Sequence, residues 1–246
     1  MHRFFVPPNW IDHGRVIVQG GLAHQLWNVL RLKPGDEITL LDNSGWEYRV
    51  RLEKLEKDQA EGSIVGELLG HEPTARIALY QALLKGERFE FVLQKGTEIG
   101  VSDFIPLKCE RCVAGEPREA KLERWRRIIR EAAEQCGRAR LPQLSPPLSL
   151  EEACQMAQGW RLLAWEGERG RGLKGYLEEL RSTGRLEENK EFSLFIGPEG
   201  GFSQREVQVA EDHGVMPVSL GQRILRAETA GLVAAAVILY ELGELG

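Results

Sequence analysis

The sequence predicts an α/β fold in two parts, a small N-terminal β-barrel and a larger domain of alternating strands and helices. Residues 46–55 alternate apolar and polar side chains, which is typical of a half-buried strand. From residue 77 onward, buried strands and helical patterns follow one another, which indicates a parallel sheet covered by helices. The turn-rich stretch 70–74 links the two parts, and we therefore expect domains at residues 1–72 and 73–246.

The other elements follow from local patterns of the same kind. In the first part we predict one helix and three strands, at residues 22–32, 37–41, 46–55 and 63–69. In the second part we predict strands at residues 77–84, 104–107, 161–165, 192–196 and 215–220. The main helices between and after them are predicted at residues 88–99, 119–136, 150–158, 173–181 and 229–242. The last helix is apolar on most sides, so the core or a partner subunit must cover it.

Composition excludes several classes of protein. The hydrophobic content of 42% and the charged content of 28% are ordinary for a globular chain. Its longest uncharged C-terminal run, residues 229–240, is too short for a membrane span of about 20 residues. No signal-peptide pattern is present, and we expect a cytoplasmic protein with no membrane partner.

The four cysteines favour neither a disulfide scaffold nor a metal centre. Cys109 and Cys112 form a single C-x-x-C pair, and Cys136 and Cys154 lie far from it in the sequence. A structural zinc site would need all four thiolates to converge, since no nearby histidine offers itself. We expect ordinary thiols and no metal.

Two glycine-rich stretches near the C-terminus carry most of the functional information. Residues 195–202 are FIGPEGGF and residues 220–230 are LGQRILRAETA, and each follows a predicted buried strand. Open α/β sheets bind small ligands at this edge, where glycines let a ligand approach the main chain. The first stretch leads into a helix with the S-x-x-E capping signal of Ser203 and Glu206. A carboxylate at Glu199 disfavours a phosphate and favours a cationic or zwitterionic ligand.

With IGPEGGFS and LGQRILRAETA, the chain resembles the SPOUT-class methyltransferases, and most of all the ribosomal RNA small subunit methyltransferase E family. HRFFVP, LRLKPGDEITLLD, KGERFEFVLQKGTEIGV and EAAEQCGR extend the resemblance over nearly the whole chain. The resemblance implies a PUA-like RNA-binding barrel, a C-terminal trefoil knot, a homodimer and S-adenosylmethionine (SAM) as methyl donor. It also implies that the target is nitrogen 3 of a uridine in 16S ribosomal RNA of the small subunit.

Within this resemblance the two stretches provide the candidate site residues. Arg226 is the candidate to stabilise negative charge on the uracil ring, and Glu199 or Glu228 is the candidate proton acceptor. The alternative for Arg226 and Glu228 is an ion pair that orders the loop. The candidate cofactor-binding residues are Ile196, Gly197, Pro198, Glu199, Gly200, Gly201, Leu220, Gly221, Ile224 and Leu225. We also expect the loop after Trp165 and Glu166 to close the pocket.

A basic stretch is the candidate RNA-binding surface. Residues 108–140 carry ten Lys and Arg against six Asp and Glu, although the whole chain has a net charge of −5. Such a surplus suits phosphate binding, but it also fits a solvated helix face with internal ion pairs. The candidate RNA contacts are Arg3, Arg31, Arg124, Arg127, Gln135 and Arg138. Methylation at another position, such as a ribose 2′-hydroxyl of transfer RNA, and non-catalytic RNA binding remain the alternative functions.

Overall fold

The computed structural model describes residues 2–245, which form two compact units. The N-terminal unit contains residues 2–72 together with residues 133–141. The C-terminal unit contains residues 73–132 and 142–245. The sequence did not indicate that residues 133–141, which begin in the last turn of a long predicted helix of the second part, pack with residues 2–72.

The N-terminal unit is built on a six-stranded, mainly antiparallel sheet with the strand order β1-β4-β5-β6-β3-β2. The strands are β1 (Arg3–Phe5), β2 (Ile11–Asp12), β3 (Arg15–Gln19), β4 (Glu37–Leu41), β5 (Trp46–Leu55) and β6 (Gln59–Leu69). Only the β1–β4 pair is parallel among the strand pairs that residues 2–245 form in this sheet. No pairing of the described strands joins β1 to β2, so the sheet is an open half-barrel where we predicted a small β-barrel.

The prediction of one continuous helix at residues 22–32 is wrong. A short α1 (Gly20–His24) continues as a π-helical turn over Gln25–Val29, and Arg31 then takes a left-handed conformation with φ 54°. The turn keeps the Leu26 side chain in the core of the unit and leaves Trp27 48% exposed. Wide turns of this kind are rare in helices, and hydrophobic spacing does not distinguish them from α-helix.

Residues 133–141 are tied to the N-terminal unit by polar contacts. The Glu72 carboxylate accepts hydrogen bonds from the Arg138 guanidinium at 2.8 Å and from the Ala139 backbone N–H at 2.9 Å. The Phe5 N–H donates to Glu134 at 2.9 Å. Because Arg138 is only 8% exposed, these contacts stabilise the packing of this segment.

The C-terminal unit contains a seven-stranded sheet in which every described pair is parallel. The main strand order is β10-β8-β7-β12-β11-β13, and β9 pairs with β8. The strands are β7 (Arg76–Ala82), β8 (Asp103–Lys108), β9 (Gln143–Leu144), β10 (Leu148–Ser149), β11 (Trp160–Ala164), β12 (Glu191–Ile196) and β13 (Met216–Val218). Strands β12 and β13, which precede the two glycine-rich stretches, flank β11 on its two sides.

Helices cover both faces of this sheet. The helices are α2 (Arg88–Ile99), α3 (Glu119–Cys136), α4 (Leu150–Met156), α5 (Leu173–Ser182), α6 (Arg185–Glu188), α7 (Gln204–Asp212) and α8 (Ala227–Glu241). One core contains residues of α2, α3, α5 and α8, and the core on the opposite face contains residues of α4 and α7. Alternate residues of β12 supply both cores, with Leu194 in the first and Phe195 in the second.

The apolar residues of the last helix are largely buried within the same chain. Ala230, Leu232, Ala235, Ile238 and Leu239 of α8 are buried within the C-terminal unit. Helix α8 packs against β7, β12 and α2, so it lies over the centre of the sheet although β13 lies at one edge. Much of the surface that suggested a partner subunit is therefore covered by the chain's own core.

Candidate functional site

The two glycine-rich stretches meet in a cleft of about 520 Å³ at the carboxyl ends of the central strands. We call residues 197–202, after β12, the first loop, and residues 219–226, between β13 and α8, the second loop. Size and position fit a small-molecule site of an open α/β sheet. The cleft is lined by Arg88, Ala164, Glu166, residues 196–202, residues 224–228 and Ala230.

The first loop is tightly packed, and its glycines are required by space. A Cβ on Gly197 would lie 3.1 Å from the Phe202 backbone nitrogen, closer than neighbouring atoms normally tolerate. Gly201 has a φ of 67°, and a Cβ there would meet the Glu166 carboxylate. The loop ends at α7, where Ser203 and Glu206 form the predicted capping box. The first loop therefore presents main-chain groups to the cleft in a fixed arrangement.

A turn after β8 anchors the first loop from outside the cleft. Arg111 donates hydrogen bonds to the Gly200 carbonyl at 2.8 Å and to the Phe202 carbonyl at 3.4 Å. The Glu110 N–H donates to the buried Glu206 carboxylate at 2.8 Å. Sequence analysis missed Arg111 because nothing in its local pattern indicates a contact with residues about 90 positions later.

The C-x-x-C pair lies in this anchoring turn. The Cys112 N–H donates to the Cys109 carbonyl at 3.0 Å, and the Cys109 N–H donates to the Cys112 sulfur at 3.4 Å. A hydrogen bond with the Cys109 side chain lowers the pKa of Cys112 to about 7. The hydrogen bond with Cys112, together with burial, raises the pKa of Cys109. Both cysteines are free thiols in this structure.

Arg88, at the start of α2, joins the first loop to the first turn of α8 electrostatically. Its Nη1 lies 3.0 Å from Oε1 of Glu199 in the first loop, and its Nε lies 3.9 Å from Oε1 of Glu228 on α8. The structure thus gives Glu228 a partner other than Arg226, and no ion pair between Arg226 and Glu228 is found among the described residues. Sequence analysis missed Arg88 as a site residue, although the KGERFEF motif contains it.

The environment of Glu199 favours its ionised form. Partial burial opposes ionisation, but hydrogen bonds from the Glu199 and Lys85 backbone N–H groups and the charge of Arg88 outweigh burial. The pKa of Glu199 therefore lies below its ordinary value. A carboxylate held in this way is a fixed negative charge at neutral pH and a weak proton acceptor.

The second loop is more open than the first. Ile224 is 85% exposed, and a Cβ on Gly221 would have no neighbour within 4 Å. Of the residues predicted here for cofactor binding, Ile224 and Leu225 line the cleft, whereas Leu220 and Gly221 do not. Gly221 instead adopts a φ of 119°, a backbone conformation that other residues rarely adopt, so its role is to turn the chain.

All three predicted catalytic residues line the cleft. Arg226 is exposed at the N-cap position of α8, and Glu228 follows in the first turn of that helix. Within residues 2–245, Arg226 makes no ion pair, in contrast to Arg88. The structure thus brings Glu199 of the first loop, Arg226 of the second loop and Glu228 of α8 to the same cleft, as their sequence positions suggested.

The predicted RNA contacts differ in how available their side chains are. Arg31, Arg127 and Gln135 are exposed. Arg124 is half-exposed and pairs with Glu90 at 2.6 Å. Arg3 pairs with Glu47, and its side chain is only 22% exposed. Arg138 is buried against Glu72, so its contact with RNA stays a prediction that the burial of this side chain does not favour.

The described residues contain neither a metal-binding cluster nor a membrane-spanning helix. Within residues 2–245, no three His, Cys, Asp or Glu side chains come close enough to hold a metal ion. In the same part of the chain, no helix is both long and apolar enough to cross a membrane.

Comparison with known families assigns this fold and cleft to a class, the RNA methyltransferases. The sequence model of the RNA methyltransferase domain matches residues 71–239, and that of the RNA methyltransferase PUA domain matches residues 23–65. Since the first match covers more than half of the chain, the class is established.

The relatives identify the particular family. Ribosomal RNA small subunit methyltransferase E from Synechocystis is 36% identical over 96% of this chain and 77% of its own length. The protein of that name from Bacillus subtilis is 32% identical over 91% of this chain and 89% of its own length. The chain belongs to the ribosomal RNA small subunit methyltransferase E family.

A solved structure supports the same assignment. The family member from Neisseria gonorrhoeae was crystallised bound to S-adenosylmethionine and is 34% identical to this chain. It superposes with a TM-score of 0.85 over 98% of this chain and 97% of its own.

The residues of the cleft fit S-adenosylmethionine. Three carboxylates, of Glu166, Glu199 and Glu228, face two guanidinium groups, of Arg88 and Arg226. This excess of negative charge suits a ligand that carries a sulfonium and an ammonium group, and it disfavours a triphosphate. The closely packed glycines of the first loop leave main-chain groups accessible to the ligand.

Proposed function

We propose that this chain transfers a methyl group from S-adenosylmethionine to nitrogen 3 of a uridine in 16S ribosomal RNA of the small subunit. The observation that carries the proposal is the single cleft in which both glycine-rich loops meet with Arg88, Arg226, Glu199 and Glu228. The family of the chain supports the choice of donor and of RNA.

The two loops hold the donor in different ways. Main-chain groups of the first loop bind its polar atoms, and Ile224 and Leu225 of the second loop cover its adenine. Glu199, which Arg88 and the Lys85 N–H keep ionised, balances positive charge on the donor. When bound, S-adenosylmethionine supplies an electrophilic methyl group on sulfur.

Arg226 and Glu228 act on the acceptor. Uridine nitrogen 3 must lose its proton before it can accept a methyl group, and the resulting charge spreads onto the flanking carbonyl oxygens. Arg226, with no competing ion pair in the described chain, stabilises that charge. We assign the proton to Glu228, directly or through water, because Glu199 is already held by Arg88 and the Lys85 N–H and balances charge on the donor.

RNA binding in the N-terminal unit involves its π-helical turn. Trp27 is exposed on this turn and Arg31 is exposed just after it, so the segment offers an aromatic face for a base and a cation for phosphate. This segment overlaps the residues that match the RNA methyltransferase PUA domain. Arg124, Arg127 and Gln135 supply further contacts, whereas Arg3 and Arg138 stabilise the unit.

The remaining features of the family are part of the proposal. We propose that the C-terminal part of the chain, which contains both loops, forms a trefoil knot. A homodimer would cover Val233 and Tyr240, which remain 37% and 67% exposed on α8. We further propose that the chain divides into domains at residues 1–72 and 73–246, with residues 133–141 packing with the first domain. The reaction requires no metal ion. The enzyme acts in the cytoplasm, where small subunits assemble.

The test is methyl transfer from labelled donor to small subunits that lack the modification, followed by digestion of the RNA and mass spectrometry. We expect 3-methyluridine in 16S ribosomal RNA. A 2′-O-methylated nucleoside, or label on transfer RNA instead, would contradict the proposal. Binding of RNA and donor without transfer would indicate a non-catalytic role.

A further inference from the structure

A second recess adjoins the cofactor cleft. It has a volume of about 650 Å³ and opens more widely to solvent than the cleft does. Arg88, Arg226 and Glu228 line both cavities, so these three side chains form the wall between them. The recess is completed by Lys85, Gly86, Glu87, Phe91 and Thr229.

The charge of the recess is opposite to that of the cleft. Three cations, Lys85, Arg88 and Arg226, face two carboxylates, Glu87 and Glu228. An excess of positive charge suits an anionic ligand such as a nucleotide, whereas the cleft suits a cationic one. The shared wall thus separates a site for a positively charged donor from a site for a negatively charged acceptor.

Phe91 gives the recess an aromatic surface. It lies on α2, one turn after Arg88, and is 46% exposed, although its neighbours Phe89, Val92 and Leu93 are buried. Aromatic side chains beside cations are the common way in which proteins hold an unstacked base, with the ring on one face and the phosphate on the cations.

We propose that this recess seats the target uridine, with its base stacked on Phe91 and its phosphate near Lys85. The proposal rests on the proposed function and adds the place where the acceptor binds. In this position the base edge faces Arg226 and Glu228, the two residues assigned to its charge and its proton. The Arg88 guanidinium positions this wall by holding Glu228 from one side and Glu199 from the other.

The test compares substitutions of Phe91 in methyl transfer to unmodified small subunits at saturating donor. Phe91→Ala and Phe91→Leu are expected to lower kcat/KM for the RNA about 5- to 150-fold, which corresponds to the loss of one base–aromatic stack. Phe91→Tyr should stay within about threefold of the wild type, since it keeps the ring. Donor affinity by calorimetry should remain within about twofold for all three variants, because Phe91 does not line the cofactor cleft.

Met156→Ala is the matched control, because Met156 is 62% exposed on α4 and lines neither cavity. Unchanged transfer by Phe91→Ala, or full activity of Phe91→Leu, would overturn the inference. A changed sedimentation coefficient of Phe91→Ala would also overturn it, because Phe91 would then contribute to a subunit contact. Loss of donor binding by this variant would overturn it too, because Phe91 would then be needed for folding. Wild-type protein that transfers no methyl group would refute the proposed function, whereas active wild type with an equally active Phe91→Ala refutes only the recess.

Discussion

The two loops of the cofactor cleft are built in contrasting ways. The first loop is buried at Gly197 and Pro198 and is held from outside by Arg111, and through Glu199 by Arg88. The second loop is exposed from residue 221 to residue 224. Both belong to one site, but only the first has a conformation fixed by its surroundings.

This difference separates two tasks that one site must perform. A fixed loop offers main-chain groups in position, so little ordering free energy is lost when the ligand binds. An open loop leaves the cleft accessible and can close over the ligand, at the cost of becoming ordered. We therefore expect the first loop to determine donor recognition, and the second loop to close the site and supply Arg226.

The largest effect is expected for Arg226→Ala in the second loop. Losing a preorganised donor of this kind typically lowers turnover about 10²- to 10³-fold. Donor affinity should change little, because the role of Arg226 is to stabilise charge on the acceptor. Arg226→Lys should recover only part of the rate, since an ammonium cannot replace the planar guanidinium. Single-turnover kinetics and calorimetry separate the two quantities, and equal losses in both would assign Arg226 to donor binding.

A pair of glycine substitutions tests the comparison itself. Gly197→Val should weaken donor binding about 5- to 150-fold, because its side chain would displace the first loop at Phe202. Gly221→Val should have a smaller effect, since space is free there and only the backbone conformation opposes it. Calorimetry on both variants measures the difference. Equal losses of donor affinity in the two variants would show that the conformation of the second loop is as constrained as that of the first.

The smallest effect is expected for Arg88→Gln, which removes the ion pair with Glu199. Because the folded-state pKa of Glu199 lies below 4.5, the pair contributes stability above that pH and loses it as pH falls through the lowered value. The pair is partly exposed and is worth about 0.2–1 kcal/mol, or roughly 0.4–4 °C in Tm. The Tm difference from wild type should be full near pH 7 and shrink below pH 4.5. A difference that grows on acidification would contradict this role.

The sequence determined the fold best where the pattern is local. Helices α2 and α3 have the predicted bounds, because apolar residues recur at helical spacing over three or more turns. The glycine loops were found because strand, glycines and helix cap follow one another directly. Contacts between distant segments were missed, including those of Arg88 with the first loop and with α8, and those of Arg111 with the first loop. The placement of residues 133–141 with the N-terminal unit was missed for the same reason.

The central claim is that the first loop has a fixed conformation and that the second loop closes over the donor. Amide hydrogen exchange with and without S-adenosylmethionine tests this claim most directly. Without the donor, we expect amides of residues 221–226 to exchange much faster than those of residues 199–202. Saturating donor should slow exchange in the second loop by at least about tenfold, a larger change than in the first loop. Equal exchange in the two loops without donor, or an unprotected second loop in its presence, would contradict the account.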